Sequence, residues 1–133
     1  MSSVSHRGDT VPRCCEVISE VGGEQLELDI AEPTTGTGPY PAIVFIHGYS
    51  YWTAGVRHKH WPKMQQAASR GFVAATIDYR LLKNGSDDGG RGNHFPAQIH
   101  DARCAVRWLR ANAEDYNIDP ARIGAYGYFD GGV

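Results

Sequence analysis

Five consecutive apolar residues, Ala42-Ile43-Val44-Phe45-Ile46, followed at once by His47-Gly48, constrain this chain more than any other stretch. A half-buried strand alternates polar and apolar residues, whereas an unbroken β-branched run needs apolar cover on both faces. A second such run lies in GFVAATIDY, over Phe72 to Ile77. Between the two, WPKMQQAASRG has Pro62 near a helix start and Gly71 past its end, with Met64, Ala67 and Ala68 along one face. Strand, helix and strand in that order make a right-handed parallel crossover.

Downstream, PAQIHDARCAVRWLRANA is the strongest helix pattern in the chain. Its apolar stripe is Ala102, Ala105, Val106 and Leu109, with Arg103, Arg107 and Arg110 largely off it. EDYNIDPAR reads as a turn, and Ile123 to Tyr126 as a third parallel strand. Upstream, CCEVISEVGGEQLELDI reads as an antiparallel hairpin, with Val17 on one arm and Leu26, Leu28 and Ile30 on the other, closed at Gly22-Gly23. AEPTTGTGPYP is a loop, and LLKNGSDDGGRGNHF a long polar loop at the mouth of the sheet. The expected order is a β-hairpin followed by β-α-β-α-β, an α/β sandwich with a mostly parallel sheet and helices on both faces. Residues 1–14 are expected to be a polar lead and residues 15–133 one domain.

Composition removes several function classes. With 41% apolar and 21% charged residues the chain is globular in type, and a net charge of -2 gives no electrostatic case for nucleic acid. No apolar run approaches the roughly 20 residues of a bilayer span, and MSSVSHRGDTVPRCC has no apolar signal core, so the cytoplasm is the expected location. The three cysteines, Cys14, Cys15 and Cys104, form no CxxC and are expected to be small, partly buried thiols without zinc or redox chemistry. His58 and His60 stand two apart without a third ligand, which predicts solvated or pocket-rim histidines and no metal. SDDGGRGN lacks EF-hand spacing and a P-loop lysine, so a mobile surface loop is expected there.

Two stretches carry chemistry. FIHGYSYWTAG leaves the first parallel strand at its carboxyl end, where α/β sheets bind ligands and where a His-Gly loop can aim backbone N–H groups at an oxyanion. The second is GAYGYFDGGV, with glycines placed as in the nucleophile elbow G-x-S-x-G, a sharp strand-to-helix turn. Those glycines are Gly127 and Gly131, and the residue at the apex is Phe129. Tyr49, Trp52 and Trp61 are candidates to line an acyl or aromatic pocket, while Trp108 reads as core.

VFIHG (44–48), ASRGFVAATIDYRL (68–81), FPAQIHDARCAVRWLRAN (95–112) and NIDPARIGAYGYFDGG (117–132) together resemble the front half of an α/β-hydrolase. The branch is that of esterases and lipases related to hormone-sensitive lipase and to feruloyl and acetyl esterases. The resemblance implies hydrolysis of a small-molecule carboxylic ester without a cofactor. It places Phe129 at the nucleophile position and takes oxyanion donors from Asp130 and from Gly48, Tyr49 and Ser50. Relatives commonly carry His-Gly-Gly-Gly where this chain has His-Gly-Tyr-Ser, and His47 belongs to that loop rather than to a triad. In this fold the acid and histidine follow the nucleophile, which would put them beyond Val133 and make this chain a truncated member. Phenylalanine has neither a lone pair to attack a carbonyl nor a proton to relay. Loss of a serine nucleophile costs about 10⁶ in turnover, roughly 8 kcal/mol, so serine-type activity is not expected of this chain. The other reading is a non-catalytic binding or scaffold protein of the same fold.

Overall fold

Covering a β-branched run on both faces takes a sheet with helices above and below, and the chain builds one. The computed structural model describes residues 4–10, 26–48, 57–80 and 96–127. Its elements are β1 (Val4–Thr10), β2 (Glu27–Pro33), β3 (Tyr40–Ile46), a short 3-10 turn (Arg57–His60), α1 (Trp61–Ser69), β4 (Val73–Ile77), α2 (Ala97–Ala111) and β5 (Ile118–Gly127). The sheet order is β1-β2-β4-β3-β5. β2 runs antiparallel to β1 and to β4, while β3 pairs in parallel with β4 and with β5.

The strand period of two divides the core. Val44 of β3 joins Leu28, Ile30, Ala75 and Ile77 under Cys104, Ala105 and Leu109 of α2. Its neighbour Phe45 points the other way, with Ala31 and Ala74, onto Met64 and Ala68 of α1. Every residue of β4 is buried, which is why VAATI carries no charge. Each fully buried Leu or Ile here contributes roughly 1.5–3 kcal/mol.

The same closing turn follows α1 directly and follows α2 after a short turn segment. After α1, Gly71 takes φ +88°, its N–H donates to the Ala68 carbonyl and the Phe72 N–H to that of Ala67. This is a Schellman motif, and it turns the chain straight into β4. After α2, Asn117 takes the left-handed position at φ +54°. Its N–H donates to Glu114 and that of Ile118 to Ala113. Asn117 also ties the turn to the β2–β3 loop: its carbonyl accepts from Tyr40 N–H at 2.7 Å and its Nδ2 donates to the Thr37 carbonyl at 3.0 Å.

Three expectations change. On its outer side β2 pairs with Val4–Thr10, a polar stretch in which no strand was expected, and the expected hairpin arm and its Gly22-Gly23 turn lie outside the described residues. β5 starts at Ile118 rather than Ile123 because Tyr40 pairs with Ile118 and Ala42 with Ile123, with an irregularity between the two pairs. Within that irregularity Asp119 accepts from Ala121 N–H and from Arg122 Nε, and the hydrogen bond from Arg122 holds the Asp119 carboxyl below the usual range. On α2 the fully buried line is Asp101, Cys104, Ala105 and Leu109, whereas Ala102 and Val106 are half-buried beside it. The helix is therefore rotated from its apolar stripe, by an ion pair described below.

Candidate active site

The parallel strands finish level with one another. Ile46 pairs with Ile77 of β4 on one side and with Gly127 of β5 on the other. The His47-Gly48 loop thus leaves β3 at the carboxyl end of the parallel strands, between the ends of β4 and β5.

His47 is held from three directions. It is buried at 3% exposure, and its ring stacks on Tyr79 at 4.1 Å between centroids. The Tyr79 hydroxyl donates to the His47 backbone carbonyl at 2.8 Å. His47 Nδ1 lies 3.0 Å from the Gly48 carbonyl, an acceptor only, so Nδ1 carries the proton and donates. These contacts fix the orientation of the imidazole and of the loop's first peptides.

The residue after Tyr79 fixes the neighbouring helix. Arg80 Nε donates to both carboxylate oxygens of Asp101, at 2.9 and 3.1 Å, and its backbone N–H donates to Oδ2 at 2.9 Å. Arg80 also reaches the Ala97 carbonyl, and Gln98 Nε2 donates back to the Arg80 carbonyl. The Asp101 side chain is wholly buried. The first turns of α2 are thus latched to the end of β4, which accounts for the helix rotation.

His60 corrects the expectation of a solvated or rim histidine. It is 4% exposed and stacks on Phe45 at 5.8 Å. Nε2 is buried without a hydrogen-bond partner. Burial first, then Lys63 and His47 nearby, push its pKa below the ordinary histidine value, so the ring is held neutral. Phe45 also meets Tyr126 at 5.7 Å, and Lys63 lies over the Tyr126 ring. No group of three His, Cys, Asp or Glu suited to a metal occurs among the described residues.

Of the candidate site residues, Gly48 and Gly127 are described and flank the end of β3. Tyr49, Ser50, Phe129, Asp130 and Gly131 lie outside the described residues. So does Trp52. Trp61 is 43% exposed at the start of α1, with Nε1 donating to Asp29 Oδ2. Trp108 packs against Tyr116 beside the core, as expected. Cys104 is buried and disulfide-bonded, which overturns the free-thiol expectation. Tyr79, Arg80 and Asp101 were not singled out in the sequence as supports of the site. Their signal was the polar DYR directly after a fully apolar strand.

This sheet, with its loop and elbow approach at one end, can be compared with known proteins. A family model described as BD-FAE matches residues 28–133. The chain belongs to that family. Its relatives include a probable isoprenylcysteine alpha-carbonyl methylesterase of Arabidopsis thaliana, 31% identical over 98 residues, covering 72% of this chain and 18% of the relative. The carboxylesterase NlhH of Mycobacterium tuberculosis is 31% identical over 93 residues, covering 69% of this chain and 26% of the relative. Among solved structures, a bacterial heroin esterase superposes with a TM-score of 0.74 at 27% identity, covering 97% of this chain and 36% of that one. BD-FAE membership and these esterases establish the α/β-hydrolase esterase fold expected from the motifs. The chain spans about a fifth to two fifths of the length of these proteins. No helix among the described residues is long and apolar enough to cross a membrane.

Proposed function

We propose that this chain is the oxyanion-loop and nucleophile-elbow portion of a carboxylic-ester hydrolase, with Phe129 at the position of the attacking serine. One observation supports this above the rest. The parallel register sets Ile46 opposite Gly127, so the His47-Gly48 loop and the elbow approach leave adjacent strands at the same end. An elbow and an oxyanion loop must meet there for acyl transfer. The three relatives, whose names make them a methylesterase, a carboxylesterase and a heroin esterase, agree on ester cleavage and differ in the ester.

In an intact member of such a family, a serine oxygen attacks the ester carbonyl and passes its proton to a base. Backbone N–H groups at Gly48, Tyr49, Ser50 and Asp130 would hold the tetrahedral oxyanion. The alcohol then leaves and water releases the acid. The Phe129 ring can form no bond to the acyl carbon. Serine-type turnover is therefore absent from this chain. Purified protein should hydrolyse p-nitrophenyl acetate at the buffer rate and take up no serine-directed phosphonate. Saturable hydrolysis abolished by the phosphonate would contradict the reading.

Phe129 also favours a second reading, a binding scaffold that keeps the cleft without its nucleophile. Calorimetric binding of a small aryl ester that is recovered uncleaved would support it. Absence of both binding and turnover would count against it.

A further inference from the structure

The turn Arg57–His60 and the first residues of α1 brace the sheet from strand to strand. Asp29 of β2 pairs with Thr76 of β4, Thr76 with Phe45 of β3, and Phe45 with Tyr126 of β5, so these four residues form one row across the sheet. Three contacts from the helix start fall on that row. Trp61 Nε1 donates to Asp29 Oδ2 at 2.9 Å, His60 stacks on Phe45, and Lys63 Nζ donates to the Tyr126 hydroxyl at 3.4 Å. The outer two are polar contacts at the rim, where Trp61 and Tyr126 are each 43% exposed. The central one is a buried imidazole whose Nε2 has no partner.

A neutral ring suits that seat, and a protonated one does not. A buried cation needs an acceptor, and the ring has none at Nε2. His60 is also the N-cap of α1, with no hydrogen bond from its side chain to the helix. The free N–H groups of a helix start carry partial positive charge and repel a second one. Lys63 on α1 and His47 after β3 add like charge. From Arg57 to Ser69 the chain has no Asp or Glu. On the α1 face β2 carries Glu27 and Asp29, in step with Ala31, and Trp61 already engages Asp29. The strand β4 carries no ionisable residue, and β5 brings Tyr126, engaged by Lys63. A protonated ring is therefore better placed in water. We infer that His60 is an acid-released latch. Neutral, it seats the turn and the start of α1 on Phe45; protonated, it leaves that seat and loosens the turn while β4 and α2 stay folded. The chain rejoins the scaffold at this turn after leaving β3 through His47-Gly48, so acid acts on the mounting of that loop. The inference stands on burial, capping and charge at this junction, independently of the chemistry at Phe129.

The test is hydrogen exchange of the 133-residue chain, read by mass spectrometry at about pH 7.5 and about pH 5.5 and corrected for the intrinsic pH dependence of exchange. Amides over 60–66 should lose protection several-fold at the lower pH. The loss is at most about tenfold, because that pH lies about one unit below the ordinary histidine value. Amides of β4 and α2 should keep their protection. His60→Phe keeps the stack and takes no proton, so its protection over 60–66 should be the same at both pH values. Lys63→Gln supplies a second reading should the first variant fail to fold. It gives up the contact with Tyr126 at both pH values, so only the ratio between them is compared. Without that cation the seated ring accepts a proton more readily, acid separates the seated and released forms less, and the ratio should shrink. Four results would each overturn the inference: no acid loss in the parent chain, a loss shared by β4 and α2, an undiminished loss in His60→Phe, or an undiminished ratio in Lys63→Gln.

Discussion

Ile46 and Gly127 lie opposite one another across the parallel strands β3 and β5. Everything proposed about function depends on that pairing. It brings the His-Gly loop and the end of β5 side by side, while Tyr79, just past β4, clamps the loop and the Arg80–Asp101 pair fixes α2 behind it. The scaffold is that of the α/β-hydrolase esterase family.

The Arg80–Asp101 pair is buried on both sides and carries several hydrogen bonds. Removing one partner strands the other charge away from water, a loss of about 3–5 kcal/mol. Asp101→Ala and Arg80→Ala should each lower the stability by that amount in urea unfolding, and replacing both together by apolar residues should cost much less than the sum.

His60 gives a pH dependence with a defined sign. Its folded-state pKa is depressed by burial, Lys63 and His47, so the unfolded chain binds the proton more readily. Stability should be full above the ordinary histidine pKa of about 6.5 and fall as pH drops below it toward the folded value. His60→Phe, which keeps the stack on Phe45, should flatten this limb of the stability–pH curve. An unchanged limb would assign it to other groups.

Two glycines should respond differently to alanine. At Gly71, φ is +88° and an added Cβ meets nothing within 4 Å, so only backbone strain is expected, about 1–2 kcal/mol. At Gly38 the φ is +59° and the Cβ would collide with the Asn117 side-chain amide, which bonds Thr37. Gly38→Ala should therefore cost clearly more than Gly71→Ala and loosen the turn that joins α2 to β5. Urea midpoints for the two variants make the comparison.

The sequence carried the parallel strands plainly, because an uncharged, nearly all-apolar run such as Val73–Ile77 has one structural use. It carried α1 as well, since Pro62 and Gly71 mark its ends by backbone geometry alone. It did not carry β1. VSHRGDT is polar and pairs at a sheet edge through backbone groups, which leaves no side-chain period to read. Asp101 was illegible for a different reason. A carboxylate inside an apolar stripe makes sense only once Arg80, twenty-one residues away, arrives beside it. His60 was misread because the pair with His58 suggested a shared solvent-facing role, while its actual neighbour is Phe45 on another element.

The cysteines offer a check on the same limits. Cys104 is disulfide-bonded, so a chain with three cysteines retains one thiol. Ellman titration in denaturant without reductant should return one thiol per chain, rising to three after reduction. Three thiols before reduction would remove the cross-link.

The central claim, that residue 129 occupies a nucleophile position beside the His47-Gly48 loop, is tested most directly by Phe129→Cys. A thiol at an elbow that faces backbone N–H groups should be partly ionised, with a pKa lowered by at least about one unit and reactivity raised about tenfold. Treated with p-nitrophenyl acetate, the folded variant should release a burst of p-nitrophenolate absent from the parent chain. Peptide mapping should place the acetyl group on residue 129, and the burst should be about tenfold slower for the same variant in urea. Acetylation at the unfolded rate, or spread over the other cysteines, would contradict the account.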